Sequence, residues 1–73
     1  RFRTMTIKPT GELTGGTIGG SNVRGAYDVA VLAIQRPDGR LVAPRGGTEL
    51  RAGDELFVVG KRAALDAFEE VIA

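Results

Sequence analysis

The chain of 73 residues has no cysteine and no histidine. That removes disulfides, thiol nucleophiles, Cys/His zinc sites and imidazole general bases together, and most simple enzyme chemistries with them, so a non-catalytic role is expected. Charge of one sign is also lacking. Ten Lys and Arg are interspersed with nine Asp and Glu, for a net charge of +1. With no basic stripe of the kind that dominates affinity for nucleic acid, no nucleic-acid partner is expected. Long apolar runs are missing as well. The longest, Val29 to Ile34, is far too short to span a bilayer, and Arg1-Phe2-Arg3 is not followed by the apolar stretch of a signal peptide. Composition therefore predicts a cytoplasmic chain with no direct membrane insertion. It does not begin with Met, which suggests one domain, residues 1–73, cut from something longer. A domain of this size buries only about 60% of the surface its unfolded chain exposes. With no disulfide or metal to help, self-association is the expected remedy.

What is present is organised around the last third. Leu50-Arg51-Ala52-Gly53-Asp54 reads as a polar turn, and Glu55 to Gly60 as a strand. Leu56 and Val58 point to one side of that strand, Phe57 and Val59 to the other. Neither face suits water, which predicts a central strand with Phe57 in the core. From Lys61 onward, Ala64, Leu65, Phe68, Val71 and Ile72 fall on one stripe of a helix laid on a sheet. Lys61 and Arg62 start this helix and Glu69 and Glu70 end it, the wrong signs for its dipole. The mismatch costs about 0.3 to 1 kcal/mol at each end, so either a solvated surface carries it or a partner or anion compensates it.

Upstream, Phe2 to Lys8 reads as an edge strand ending at Pro9, which cannot donate to a ladder. A short helix is expected from about Thr17, capped by Thr17 or Thr14 and weakened by Gly19 and Gly20 at about 1 kcal/mol each. Val29 to Ile34 and Arg40 to Ala43 flank Pro37-Asp38-Gly39, a hairpin turn with a mechanism: Pro presets φ, Asp bonds locally and Gly takes positive φ. The predicted architecture is α+β, a small β-α-β-β-β-α layered domain whose four-stranded sheet packs against a C-terminal helix.

Gly15-Gly16-Thr17-Ile18-Gly19-Gly20 invites comparison with phosphate-cradling loops, but it has neither the Gly-Lys-Ser/Thr of one class nor the Gly-x-Gly context of the other. Loop flexibility explains it better. The scattered carboxylates match no calcium loop or catalytic dyad. Asp38 and Asp54 read as turn formers.

Taken together, Leu13, Gly16-Thr17-Ile18, Val23-Arg24, Tyr27, Val31 to Arg36, Pro44 and Leu50 to Gly60 resemble the RCK-C or TrkA-C domain. This is the regulatory C-terminal module of potassium channels, transporters and cation/proton antiporters. The resemblance runs from Phe2 to Ile72, and the family's fold agrees with the element order above. It implies a regulatory ligand-binding and dimerisation module of a potassium or other cation transport protein. Ligand occupancy at a homodimer interface would then be coupled to the channel, transporter or antiporter portion of the same or a partner chain. The rival is a purely structural dimerisation domain. In the branch that binds cyclic di-AMP, the positions of Ile18, Gly19, Arg24, Ala30, Val31 and Pro44 line the pocket. The implied ligand is a nucleotide second messenger such as cyclic di-AMP, and the candidate set is Ile18, Arg24, Ala30, Val31, Arg36 and Pro44. Arg suits a phosphate and the apolar residues a purine face. Arg24 has a second reading, as a surface residue paired with Asp28. The sequence departs from the family at Gly19, where that branch has an aliphatic residue, and at Ala30, where it has Asn. Gly20 and Ser21 replace an acidic residue and Leu, and Asp28 replaces a common Gly.

Overall fold

A computed structural model describes residues 1–73. The elements are β1 (Phe2–Thr6), α1 (Val23–Tyr27), β2 (Val29–Gln35), β3 (Leu41–Val42), β4 (Glu55–Gly60) and α2 (Arg62–Ile72). The strands form one antiparallel sheet in the order β1-β4-β2-β3, with β4 central and β1 at an edge, as the patterning predicts. The turn from β2 to β3 works as its residues suggest. Gly39 has φ of 90°, its N–H donates to the Arg36 carbonyl at 2.8 Å, and Asp38 Oδ1 accepts from the Arg40 N–H at 3.0 Å.

The core lies between α2 and one face of the sheet. Leu65, Phe68 and Ile72 of α2 meet Met5, Ile7, Val29, Ile34, Leu50, Leu56 and Val58 from the sheet and its loops, and Val23 closes the end. Phe68 is fully buried and stacks at a tilt on Tyr27 of α1, with ring centroids 5.5 Å apart. Burying each such side chain contributes about 1.5 to 3 kcal/mol.

The expectation for Phe57 needs correction. Antiparallel partners project to the same side, so Phe57 and Val59 share the outer face with Phe2 and Thr4 of β1 and with Ala30 and Ala33 of β2. No helix covers this face. Phe57 is half-buried, and its main neighbour there is Phe2, whose ring meets it edge-on at 6.1 Å. The strand is apolar on both sides, as read, but the chain has only one long helix and covers only one side.

Helix α2 keeps the mismatched charges predicted for it, with no acid in its first turn and no base in its last. Its terminal carbonyls are satisfied from the backbone instead. Ile72 O accepts from the Lys8 N–H at 2.9 Å and Val71 O from the Glu12 N–H at 2.8 Å. Gly11 lies so close that a Cβ there would be 2.5 Å from Ile72 O, a reason for glycine that the sequence alone does not give. On the outer side of α2, Asp66 and Glu69 both accept from Arg3 of β1, at 2.8 and 3.1 Å. The hydrogen bond to Asp66 is the first cause of a raised Arg3 pKa.

The first helix begins later than expected, at Val23 rather than near Thr17. Thr17 forms a bridge with Glu49, and its hydroxyl accepts from the Gly20 N–H at 3.0 Å. The hydroxyl thus acts as a local cap, but of a turn. Asn22 precedes α1 with φ of 48° and Asp28 follows it with φ of 57°. These left-handed residues leave room for only five helical ones.

Candidate ligand-binding cleft

Four segments converge beside the start of β2. The glycine-rich stretch is laced to the segment before β4 by backbone bonds: Gly15 N–H to Leu50 O, Leu50 N–H to Gly16 O, Ile18 N–H to Thr48 O and Gly19 N–H to Gly46 O, all between 2.8 and 3.0 Å. The Gly16 and Gly20 amides are engaged locally, with Leu13 O and the Thr17 hydroxyl. These amides are therefore not free to cradle a phosphate. The lacing brings Ile18 and the Pro44–Gly46 segment against Val23 and Arg24 of α1 and the Val29–Val31 end of β2, around an open cleft of about 200 Å³.

Five of the six sequence candidates meet in this cleft: Ile18, Arg24, Ala30, Val31 and Pro44. No carboxylate lines it. Arg24 is exposed and makes no ion pair with Asp28; the chain's ion pairs are Arg3 with Asp66 and Glu69, Arg36 with Asp54, and Arg51 with Glu49. An unpaired guanidinium over an apolar floor can take a phosphate while a ring lies on Ile18 and Val31.

Arg36 is elsewhere. It is buried, and its Nη1 donates to Asp54 Oδ2 and to the Glu49 carbonyl. Asp54 has no solvent exposure and also accepts from the Arg51 N–H at 3.0 Å, while its Oδ1 has no partner. This ion pair fastens the end of β2 to the turn before β4, so the reading of Asp54 as only a turn former is incomplete. Breaking such a pair from one side typically costs about 3 to 5 kcal/mol, because a charge is left buried. Arg36 is thus structural and does not belong to the cleft.

Sequence reasoning missed Arg45 and Gly46, which also line the cleft. The available signal was an arginine between Pro44 and a Gly-Gly pair. Beside the cleft, β2 pairs with β3 only through Ile34 and Gln35, so its Val29–Leu32 half has no strand on that side. A bulge between Val31 and Ala33 turns Leu32 outward, 55% exposed.

A small α+β domain, with a four-stranded antiparallel sheet under one long helix and an open cleft at the start of β2, is the class that these elements define. The chain belongs to the TrkA-C domain family, whose model matches residues 2–73. No curated protein sequence matches it. Among solved structures it is similar to the RCK-C domain dimer of S. agalactiae BusR in complex with c-di-AMP, with 21% identity over 97% of this chain and 93% of that one and a TM-score of 0.87. It is also similar to the RCK C domain of the potassium transport protein KtrA in complex with cyclic diadenosine monophosphate, with 26% identity, coverage of 94% and 81%, and a TM-score of 0.77. The GsuK channel bound to NAD matches at 23% identity and TM-score 0.78, over 97% of this chain but 13% of the channel chain. BusR in complex with its busAB-promoter DNA matches over 35% of its chain, at 21% identity and TM-score 0.88.

The last match corrects one expectation. A near-neutral domain was read as excluding nucleic acid, yet a protein carrying this fold is bound to promoter DNA. The charge of one domain says nothing about the other two thirds of such a chain.

Proposed function

We propose that this chain is a ligand-binding and dimerisation module that couples occupancy of a nucleotide second messenger, such as cyclic di-AMP, to the gating of a potassium or other cation transport protein. The observation that carries the reading is the cleft itself: Arg24, without an ionic partner, lines it together with Ile18, Val31 and Pro44, and no carboxylate is among the lining residues. At about 200 Å³ one cleft is smaller than the roughly 300 to 1,000 Å³ usual for a ligand site. Two halves facing each other across a dyad would reach that range, and a two-fold ligand suits them. The unpaired Val29–Leu32 edge and the apolar outer sheet face supply surface for the second copy. The KtrA and BusR domains in complex with cyclic di-AMP favour the same ligand class, and KtrA and GsuK favour a transport protein as the larger context.

Calorimetry with cyclic di-AMP tests this reading. Arg24→Ala should weaken binding about ten- to a hundredfold, the value of a charge-assisted contact, with the melting temperature unchanged. No heat from the wild type would leave the purely structural dimer as the better account, and binding that ignores the substitution would move the ligand away from this cleft.

A further inference from the structure

We infer that Arg45 is a second anion-binding residue of the cleft, held there by a close backbone contact between Gly19 and Gly46. This rests on the proposed reading that the cleft takes a phosphate-bearing ligand. The sequence marks Gly19 only as a departure from the cyclic di-AMP-binding branch. In three dimensions it is the point where two backbones touch. Its N–H donates to Gly46 O at 2.8 Å, and a Cβ on Gly19 would lie 3.0 Å from that oxygen and 3.1 Å from Gly46 Cα. Such spacing is tighter than most Cβ contacts, so a side chain at Gly19 would push the Gly46 backbone away by a few tenths of an ångström. The absence of a Cβ therefore sets how closely the Pro44–Gly46 segment approaches the Ile18–Gly19 turn.

Arg45 lies on that segment and lines the cleft. Its backbone N–H is held by Thr48 Oγ1 at 2.9 Å, and Thr48 N–H returns a bond to Arg45 O at 3.0 Å, so its backbone is fixed from both sides. Its guanidinium has no partner in any ion pair or side-chain hydrogen bond of the chain. With Arg24 it gives the cleft two uncommitted guanidinium groups and no acid. Ala30 has no side-chain amide to read a base edge, so recognition shifts from the base to the charge: two arginines for the phosphates and apolar surface for either purine. The ligand class is a cyclic dinucleotide with little discrimination between adenine and guanine.

The test is calorimetric titration of the 73-residue chain with cyclic di-AMP and cyclic di-GMP, on the wild type, Arg24→Ala, Arg45→Gln, Gly19→Ala and the Gly19→Ala/Arg45→Gln double variant, with thermal melts to verify folding. Arg45→Gln should weaken both ligands about tenfold or more. Gly19→Ala should weaken them although Arg45 is present, and the double variant should be no worse than Arg45→Gln alone. The two ligands should bind the wild type within about tenfold of one another, since no side-chain amide lines the cleft to read the base. Binding that Arg24→Ala weakens and Arg45→Gln leaves intact overturns this inference and keeps the proposed function. Additive losses in the double variant overturn the Gly19 contact as the cause. No binding of either ligand to the wild type overturns both.

Discussion

The two faces of the sheet are made by the same strands and have opposite fates. On the inner face Leu56 and Val58 meet α2 and have no exposure. On the outer face Phe2 remains 59% and Leu41 64% exposed, and Phe57 and Val59 are half-buried. The strands were apolar enough to close two layers, but the chain supplies helix for one. A surface of this kind, with aromatic and branched side chains side by side, marks an interaction site more often than chance exposure. The comparison teaches that apolar alternation measures what a strand wants covered and not what covers it: the inner face is settled within the chain, while the outer one is left uncovered by it.

The sharpest way to break this contrast is a pair of truncations. Phe68→Ala, inside the core, should cost about 3 to 5 kcal/mol and unfold much of so small a domain, whose whole stability lies near the low end of about 5 to 15 kcal/mol. Phe57→Ala should cost less, about 1 to 2 kcal/mol in the monomer, because its ring is only partly buried and no helix packs on it. Urea titration at low protein concentration measures both, and equal losses would abolish the distinction between the faces. Gly11→Ala comes next, at about 1 to 3 kcal/mol. Its Cβ would press on the carbonyl end of α2 from outside the sheet, and a neutral result would mean that the Lys8–Glu12 loop is free to move. The smallest effect on stability, and the most direct on the outer face, is Phe2→Ser with Leu41→Ser. The monomer should melt within a few degrees of wild type, while light scattering across a dilution series should show weaker self-association. Association that survives the double change would move the contact surface away from this face, toward the open edge of β2.

Much of the fold was legible because its punctuation is local. Pro37-Asp38-Gly39 closes its hairpin through one glycine φ and one aspartate bond, and the stripe on α2 needed only a period. Thr17 misled because a hydroxyl before a glycine pair caps a turn as readily as a helix, and only the bridge to Glu49 decides between them. In the site, a resemblance of spacing brought five residues together that no local rule connects. Arg36 was misassigned because its partner, Asp54, lies across a loop, and burial of an ion pair has no sequence signature. Arg45 was overlooked because its place depends on Gly19 meeting Gly46, two residues whose only shared property in one dimension is that they carry no side chain.

The pairing of β1 with β4, joined to the bonds from Lys8 and Glu12 to the end of α2, bears on the order of folding. The hairpin of β2 and β3 can close from neighbouring residues, but the leading strand has no partner until β4 exists, and the Lys8 and Glu12 amides have none until the last turn of α2 has formed. Loop closure over such separations has to precede its reward, which slows folding. During synthesis β1 therefore emerges before its partners and waits, as an unpaired strand carrying Met5 with Ile7 just after it, for β4 and α2 to follow. The salt-linked Arg3 and the flanking Arg1 and Lys8 put three positive charges on that waiting strand, and like charges of this kind discourage it from pairing with a strand of another chain.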